Sequence, residues 1–527
     1  METNSKETQT LVQIEAFLAE NRPFGDWFYI DERTSARYDC RLEMLTEHLP
    51  ITKILLTALR QSSPQSRYRV MGDPVVRSAI NTALGHFKLD VPHTRLDELE
   101  AVFSIAASHL AQDKCMAPLE AGTLQAIRIG TASNHAWVWC EERADDIFGQ
   151  IFRQHLASAR LKLRTPNDQE QKMLVQGTQL LNDLLPKLAF STLKHVHLVA
   201  VMEQPLGFSG ITNPSILGTI FLSPSVLKNP WQVAEHLLHE ALHQKLVDIV
   251  DTHSIWRRGY PIADTPTIRV IWRRPQLRNS NEWPLYRALA AFHVYVHLAL
   301  FFTVVERQAA KLEKLYGPLY DIDIAVSARG AFDRAHYLGH QIKQLDRELG
   351  HAGRRFVDWL IAILNAFDPC PPPANGYVHL LLDLYDREAE ELRQLIAQLN
   401  TKGKEPSAVF ADTSVQQILA YMTESEIGKV QRVLSTLSEA GFPLPNLYEE
   451  NHLLTTAPDN ATPTEIAAKF WSVRAFVSQT LRKILPEAYS HAHQIQAKKT
   501  LGELVQEMVE HSGQCLNTLI ECLSDRN

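Results

Sequence analysis

The chain has 527 residues, of which 45% are hydrophobic and 21% are charged, and its formal net charge is −7. This composition is typical of a soluble globular protein, and the length is enough for two to four domains. The acidic balance argues against nucleic acid or an anionic membrane as the main partner. The N-terminal sequence METNSKETQTLVQIEAFLAE lacks the basic start and apolar centre of a signal peptide, so we expect a cytoplasmic protein.

The spacing of the cysteines and the length of the apolar runs argue against a cysteine-based zinc protein and against a membrane-spanning protein. The six cysteines are scattered without CxxC spacing, which is typical of reduced thiols in a cytosolic enzyme and argues against a cysteine-based zinc site. The most apolar run, Phe292 to Val305, is too short to span a bilayer and carries His293 and His297. We therefore expect a buried helix there, and no membrane partner.

The first part of the chain is largely helical in pattern. Residues 1–160 predict several helices, with a strand-like stretch at 124–140 that contains the runs AIRIG and AWVWC. The segment TPND at 165–168 is typical of a helix start, and Pro186 ends the helix that follows. Two β-type runs, His195 to Met202 and Ile216 to Leu222, come next and predict a small β element.

The helix after these strands begins near residue 230. Asn229 is a good N-cap, and Pro230 occupies the first helical position, where its missing N–H costs nothing. Apolar residues then recur at helical spacing as far as Ile249 and give the helix a stripe for packing.

The rest of the chain predicts an irregular connection, further helices and a linker. Residues 251–283 form the connection, with one short β-run, Ile268 to Trp272, and Pro284 opens a long helix. The proline-rich segment 368–376 is the clearest linker signal, and the sequence beyond it is again helical. We predict a mainly α fold with a small β element (α+β), divided into a helical N-terminal region 1–164, a catalytic core 165–368 and a helical C-terminal region 369–527.

Residues 239–243 read His-Glu-Ala-Leu-His, which is the metal-binding pattern HExxH. A helix places His239 and His243 one above the other on one face, where two neutral nitrogens can meet one cation at about 2.1 Å. Glu240 lies beside such a site, as a base or as an outer-shell acceptor. The pattern therefore predicts a metalloenzyme.

A catalytic metal also needs a third protein ligand and an open position. His293 is the strongest candidate, because a second long helix packed on the HExxH helix can bring it to the pair, and His297 is the reserve. The metzincin extension needs Gly and His after His243, and the following residues supply neither. A downstream glutamate could be the third ligand instead, and Glu282 and Glu306 qualify by their distance along the sequence alone.

The same region resembles a known group of enzymes, the HExxH-type 2-oxoglutarate-dependent peptide β-hydroxylases found with clusters that make ribosomal, post-translationally modified peptides. The resemblance covers roughly residues 165–350 and rests on the runs GTIFLSP at 218–224, EHLLHEALHQKL at 235–246, WRR at 272–274 and RALAAFHVY at 287–295. That family tends to show Arg-Pro before the downstream His, whereas this chain has Arg287-Ala288.

The resemblance implies a metal and a reaction. His239, His243 and His293 would hold Fe(II), and 2-oxoglutarate and dioxygen would occupy its open positions. Oxidative decarboxylation of 2-oxoglutarate would drive hydroxylation of a β-carbon in a ribosomally made precursor peptide. Glu240 would then be an outer-shell group, which need not act as a proton shuttle.

The co-substrate also needs a cation for its far carboxylate. Arginine suits this role because two parallel N–H bonds both hold and orient a carboxylate. The candidates lie between the second and third proposed ligands and are Arg273, Arg274 and Arg287.

Two other functions are compatible with these residues. A zinc metallopeptidase would use the same two histidines, and Glu240 would deprotonate a metal-bound water. A non-catalytic helical interaction protein is the second alternative, because the C-terminal third offers amphipathic helices and no recognisable motif. The pairs His195/His197 and His336/His340 have suggestive spacings but no evident acidic partner, and we interpret them as structural.

Overall fold

The computed structural model of the protein is mainly helical and contains small sheets. Helix accounts for 74% and strand for 7% of the residues that the structure describes, which confirms the predicted mainly α fold with a small β element. The structure describes residues 2–89, 95–121, 127–129, 136–140, 146–203, 209–261, 264–273, 281–320, 323–368, 377–401, 409–410, 413–439, 463–484 and 500–524.

Helices and strands alternate in blocks along the described residues. The α-helices are Glu2–Glu20 (α1), Trp27–Leu45 (α2), Ile51–Gln61 (α3), Pro64–Gly72 (α4), Pro74–Leu89 (α5), Leu96–Ala111 (α6), Pro118–Ala121 (α7), Ile147–Ser158 (α8), Asp168–Leu184 (α9), Pro186–Leu193 (α10), Pro230–Thr252 (α11), Leu285–Tyr316 (α12), Ile324–Gln344 (α13), His351–Phe367 (α14), Val378–Thr401 (α15), Val415–Glu439 (α16), Pro463–Arg482 (α17) and Leu501–Ser524 (α18). The strands are Ile127–Ile129 (β1), Ala136–Val138 (β2), Leu163–Arg164 (β3), Leu198–Met202 (β4), Gly210–Thr212 (β5), Thr219–Leu222 (β6), Thr267–Arg269 (β7), Glu282–Pro284 (β8), Val409–Phe410 (β9) and Thr413–Ser414 (β10).

The chain forms two compact units. The first comprises Met1–Tyr260, Ala290–Ala335 and Leu345–Phe367, and the second comprises Pro261–Leu289, His336–Gln344 and Asp368–Asn527. The first unit thus holds the HExxH helix together with the whole predicted N-terminal region. The predicted borders at 164 and 368 stay predictions, and most of the predicted linker, residues 369–376, lies outside the described residues.

The first unit contains a six-stranded sheet. Its order is β1-β2-β4-β6-β5, and β3 pairs with β4. β4 runs parallel to β2 and β6, whereas β5 is antiparallel to β6 and ends the order. Every residue of β4 and β6 is buried, as expected for strands covered on both faces. These two strands correspond to the β-type runs predicted before the HExxH helix.

Local capping decides where the two helices that flank these strands begin. Asn167 and Glu170 form a capping box at the start of α9, each side chain bonding the other residue's backbone N–H. At α11, the Asn229 side chain accepts from the backbone N–H of Trp231 at 2.8 Å, and Pro230 is the first helical residue. The start of α11 confirms the sequence prediction, whereas α9 begins two residues later than predicted, with Asn167 as the cap in place of Thr165.

α9 and α11 pack closely against each other in this unit. The close approach depends on Gly177 of α9, because a Cβ there would lie 2.4 Å from the side chain of Val233 on α11. The backbone of α9 therefore forms part of the surface on which the HExxH helix rests.

α12 is long and apolar enough to cross a membrane by length and composition, and 78% of its most apolar stretch is buried within the protein. Burial on this scale is typical of a core helix, and it agrees with the buried helix predicted for residues 292–305. The helix begins at Leu285, directly after the predicted start signal Pro284, which is the last residue of β8.

The second unit contains the β7–β8 sheet and helices α15 to α18. Arg474 of α17 is buried, stacks 3.8 Å above the Tyr385 ring centroid of α15, and donates two hydrogen bonds to Glu426 Oε1 of α16 at 3.0 and 2.9 Å. The Tyr385 hydroxyl donates to the other oxygen of Glu426 at 2.8 Å. A buried polar network therefore fixes the mutual register of three helices.

Candidate metal centre

His239 and His243 form a pair on one face of α11. Their ring centroids are 5.0 Å apart, and both side chains are half-buried. Burial lowers the pKa of His243 to about 4, and burial with the neighbouring His243 and His236 lowers the pKa of His239 well below its usual value. Neither imidazole has a hydrogen-bond partner among the described residues. Two neutral imidazoles of this kind are what a divalent cation requires.

Glu240 extends from α11 to strand β5 and is only 3% exposed. Thr212 Oγ1 donates a hydrogen bond to its Oε2 at 2.8 Å, and a Cβ placed on Gly210 would lie 2.8 Å from its Oε1. Burial raises the pKa of this carboxyl to about 7, an effect that the Thr212 hydrogen bond partly offsets. The group beside the histidine pair can therefore change protonation near neutral pH.

A polar stripe on α11 continues from Glu240 through Gln244, one turn further on. The Gln244 side chain accepts from the backbone N–H of Gly218 at 2.9 Å and donates to the carbonyl of Thr219 at 2.9 Å. The Gln244 amide thus satisfies backbone groups at the start of β6 that a neighbouring strand would otherwise bond. Gln244 is 1% exposed, and its two bonds fix α11 to the central strands.

Asp248 ends the stripe and joins a buried charge network. It accepts from His195 Nδ1 at 2.7 Å and from Arg77 Nη1 at 3.2 Å. The sequence indicated no acidic partner for His195, and this was wrong, because Asp248 is that partner. The interpretation of His195 as a structural residue is unchanged. The same correction applies to His336 of the second unit, whose Nε2 lies 3.1 Å from Asp368 Oδ2.

Lys245 was missed by the sequence analysis, although it is fully buried on the same helix. Its Nζ donates to the carbonyl of Gly25 and to Ser191 Oγ, both at 2.7 Å. Burial lowers its pKa to about 7. The contact ties the turn between α1 and α2 to the helix that carries HExxH. A Lys in the middle of an apolar stripe was the signal available in the sequence.

His293 is fully buried in α12, in the same unit as the HExxH pair. Neither of its ring nitrogens makes a well-formed hydrogen bond among the described residues, although the Leu242 carbonyl lies near the ring. The ring packs edge-on against that of His297, with the two centroids 4.5 Å apart. Burial, followed by His297, Lys245 and His243, lowers its pKa well below the usual value, while the Leu242 carbonyl opposes the shift.

His297 differs from His293 in its bonding. Its Nδ1 donates to the His293 carbonyl at 2.7 Å, which leaves Nε2 as the acceptor nitrogen, and burial lowers its pKa to about 3. Of the other reserve candidates, Glu306 is exposed on α12, and Glu282 lies in β8 of the second unit, where it accepts from Thr267 Oγ1 at 3.0 Å.

A three-ligand cluster does not appear among the described residues: no group of three or more His, Cys, Asp and Glu side chains there is arranged to hold a metal ion. The structure does bring His239 and His243 together. The pair suits Fe(II) or zinc, because both imidazoles are neutral and neither has a hydrogen-bond partner in the described part of the chain. His293 as third ligand stays a prediction.

The predicted carboxylate clamp lies in the second unit. Arg273 and Arg287 are exposed, and their guanidinium carbons lie 5.3 and 4.7 Å from the ring centroid of Trp283. Cation–π stacking on a buried indole restricts both side chains. Arg274 lies outside the described residues. Their role toward 2-oxoglutarate stays a prediction.

No protein-family model and no curated protein matches the chain. The histidine pair, the HExxH pattern and the sequence resemblance are therefore what indicate its function.

Proposed function

We propose that the protein is an Fe(II)- and 2-oxoglutarate-dependent oxygenase that hydroxylates the β-carbon of a side chain in a ribosomally made precursor peptide. The observation that carries the proposal is the neutral pair His239 and His243 beside Glu240, a carboxyl already engaged by Thr212. A carboxyl held in this way suits an outer-shell role better than that of a mobile proton shuttle. The resemblance of residues 165–350 to HExxH-type hydroxylases points the same way.

In this proposal α12 packs on α11, and His239, His243 and His293 hold the metal. The influence of His243 and of the Leu242 carbonyl on the pKa of His293 supports that packing. When bound, iron with 2-oxoglutarate and dioxygen supplies the oxidising chemistry. The chain contributes three neutral nitrogen ligands and leaves the remaining positions of the ion to the co-substrates. The cation for the far carboxylate of 2-oxoglutarate stays a prediction from the sequence, with Arg273, Arg274 and Arg287 as its candidates.

A peptide substrate is supported by the position of β5. This strand ends the order of its sheet and lies directly beside Glu240. An edge strand offers its outer N–H and C=O groups to an extended peptide, which can pair with it regardless of side-chain identity. We propose that the precursor peptide lies along β5 and that the reaction takes place in the cytoplasm.

A zinc metallopeptidase is the second candidate, and one observation favours it. Glu240 Oε1 has no hydrogen-bond partner among the described residues, so this oxygen can take a proton from a metal-bound water, as a peptidase requires. This function would use the same histidine pair and would need neither 2-oxoglutarate nor dioxygen.

The two candidates separate in one experiment on the full chain. The protein is purified anaerobically, its metal content is measured, and succinate formation and dioxygen uptake are followed after addition of Fe(II) and 2-oxoglutarate. We expect iron-dependent succinate formation that is lost in His239→Ala, with His340→Ala, a change at an exposed residue of the second unit, as the control. Stoichiometric zinc, peptide cleavage and no dependence on 2-oxoglutarate would replace the proposal with the peptidase.

A further inference from the structure

The contact between Glu240 and β5 is more specific than packing alone requires. Thr212 Oγ1 donates to Glu240 Oε2 at 2.8 Å and also lies 3.4 Å from the Glu240 backbone carbonyl. Two residues earlier, Gly210 presents bare backbone to Oε1. Residues i and i+2 of a strand face the same side, so Gly210 and Thr212 together form the surface that receives the carboxyl.

Strand β5 is itself held in a fixed position relative to α11. It pairs antiparallel with β6. β6 is bonded to α11 by Gln244, through the backbone of Gly218 and Thr219. The Thr212 hydroxyl is therefore delivered to Glu240 by a strand that is anchored, through its neighbour, to the same helix one turn further on.

The two oxygens of Glu240 are consequently not equivalent. Oε2 accepts from Thr212, whereas Oε1 has no hydrogen-bond partner among the described residues. A carboxylate can accept several hydrogen bonds, so Oε1 retains its capacity. We propose that Thr212 is a positioning residue that fixes the Glu240 carboxyl and leaves Oε1 to accept a hydrogen bond from a ligand bound at the metal of His239 and His243. The inference rests on the proposed function only in requiring that metal, and it applies equally to iron and to zinc.

The test uses a metal alone and one small ligand, because the peptide is not needed. Co²⁺ is bound to the full chain, and its Kd is measured by competition with a chelator. Acetohydroxamate, which chelates metals through two oxygens and carries an N–H donor, is then titrated against the Co²⁺-loaded protein by visible absorption. The variants are Thr212→Val, which keeps the side-chain shape without the hydroxyl, Thr212→Ser, which keeps the hydroxyl, Glu240→Ala, and the double variant Thr212→Val/Glu240→Ala.

We expect Thr212→Val to weaken acetohydroxamate binding about tenfold, within the range for loss of outer-shell contacts, and to change the Kd for Co²⁺ less than about threefold. Thr212→Ser should restore binding. In the Glu240→Ala background, Thr212→Val should have no further effect, because the hydroxyl acts through that carboxyl. Thermal melting of each variant controls for folding, and Thr212→Ala replaces Thr212→Val if the latter does not fold.

Three results would overturn the inference. Unchanged acetohydroxamate binding in Thr212→Val removes the positioning role, and losses that add in the double variant show that Thr212 acts independently of Glu240. Failure of the wild-type chain to bind Co²⁺ removes the inference and the proposed function together. Tight Co²⁺ binding with the expected coupling, but without iron-dependent succinate formation, would remove the oxygenase proposal alone.

Discussion

Asp248 Oδ2 accepts a hydrogen bond from Nδ1 of His195 at 2.7 Å in the interior of the first unit. The other oxygen of the same carboxylate accepts from Arg77, and all three side chains are less than one-tenth exposed. Asp248 belongs to α11, Arg77 to α5, and His195 to the segment before β4. The far end of the HExxH helix is thereby anchored to two other elements through a buried charge.

Replacement of Asp248 by Asn should destabilise the protein by about 3–5 kcal/mol, because loss of one partner leaves Arg77 buried and uncompensated. The free energy of unfolding in urea at neutral pH measures this cost. Glu43→Gln is the matched control, since Glu43 pairs with Arg60 and the two side chains are 55% and 54% exposed. An exposed pair of this kind contributes less than about 1 kcal/mol. Equally small losses in both variants would contradict the role of the network.

The same carboxylate should make the fold sensitive to acid. Burial opposes ionisation of Asp248, but Arg77 and His195 outweigh it and hold its pKa below the usual value. An acid with a lower pKa in the folded than in the unfolded chain stabilises the fold above its unfolded pKa of about 3.9, and this contribution disappears as pH falls through the folded value. The stability difference between wild type and Asp248→Asn should therefore be largest near neutral pH and shrink below about pH 4. Urea unfolding at several pH values measures it, and a constant difference would count against this sign.

Only the local parts of this arrangement could be predicted from the sequence. Asn229 and Pro230 act within one turn, so the start of α11 was predictable. The partner of His195 was not, because Asp248 lies 53 residues further along the chain and the contact exists only after folding. The three residues of β5 are too few to show alternation. The four-residue spacing of Glu240, Gln244 and Asp248 was visible, but nothing in the sequence identifies the strand or network that each one meets.

Gly210→Ala should disturb the site from the strand side. The new Cβ would lie 2.8 Å from Glu240 Oε1, so the carboxyl or the strand must shift, at a cost of about 1–3 kcal/mol in the free energy of unfolding. Gly428→Ala is the control, because a Cβ on this helical residue meets nothing within 4 Å. Ala in a helix is favoured over Gly by roughly 0.5–1 kcal/mol, so the control should be stabilised. The two variants should therefore change the free energy of unfolding in opposite directions. A stabilised Gly210→Ala would show that β5 is not in close contact with Glu240.

His243→Ala should weaken metal binding by at least about 100-fold, since even the loss of an outer-shell contact costs 10–100-fold and this change removes a ligand. The Kd for Co²⁺ or Zn²⁺ is measured by competition with a chromophoric chelator. His340→Ala serves as the control, because His340 is exposed in the second unit and lies beside Gln344. Equal affinity in the two variants would show that the metal is not bound by the HExxH helix.

The identity of the third ligand can be tested with a pair of matched variants in α12. His293 and His297 are both fully buried, one turn apart, so His293→Leu and His297→Leu remove the same group from the same surroundings and should have similar effects on stability. Only His293→Leu should weaken Co²⁺ binding, by about tenfold or more, because a catalytic site needs three protein ligands and, of the two histidines, only His293 is close enough to His243 for that residue to lower its pKa. The same competition assay measures both, with thermal melting alongside. If His297→Leu shows the loss and His293→Leu does not, the third ligand is His297, and the metal lies one helical turn further along α12.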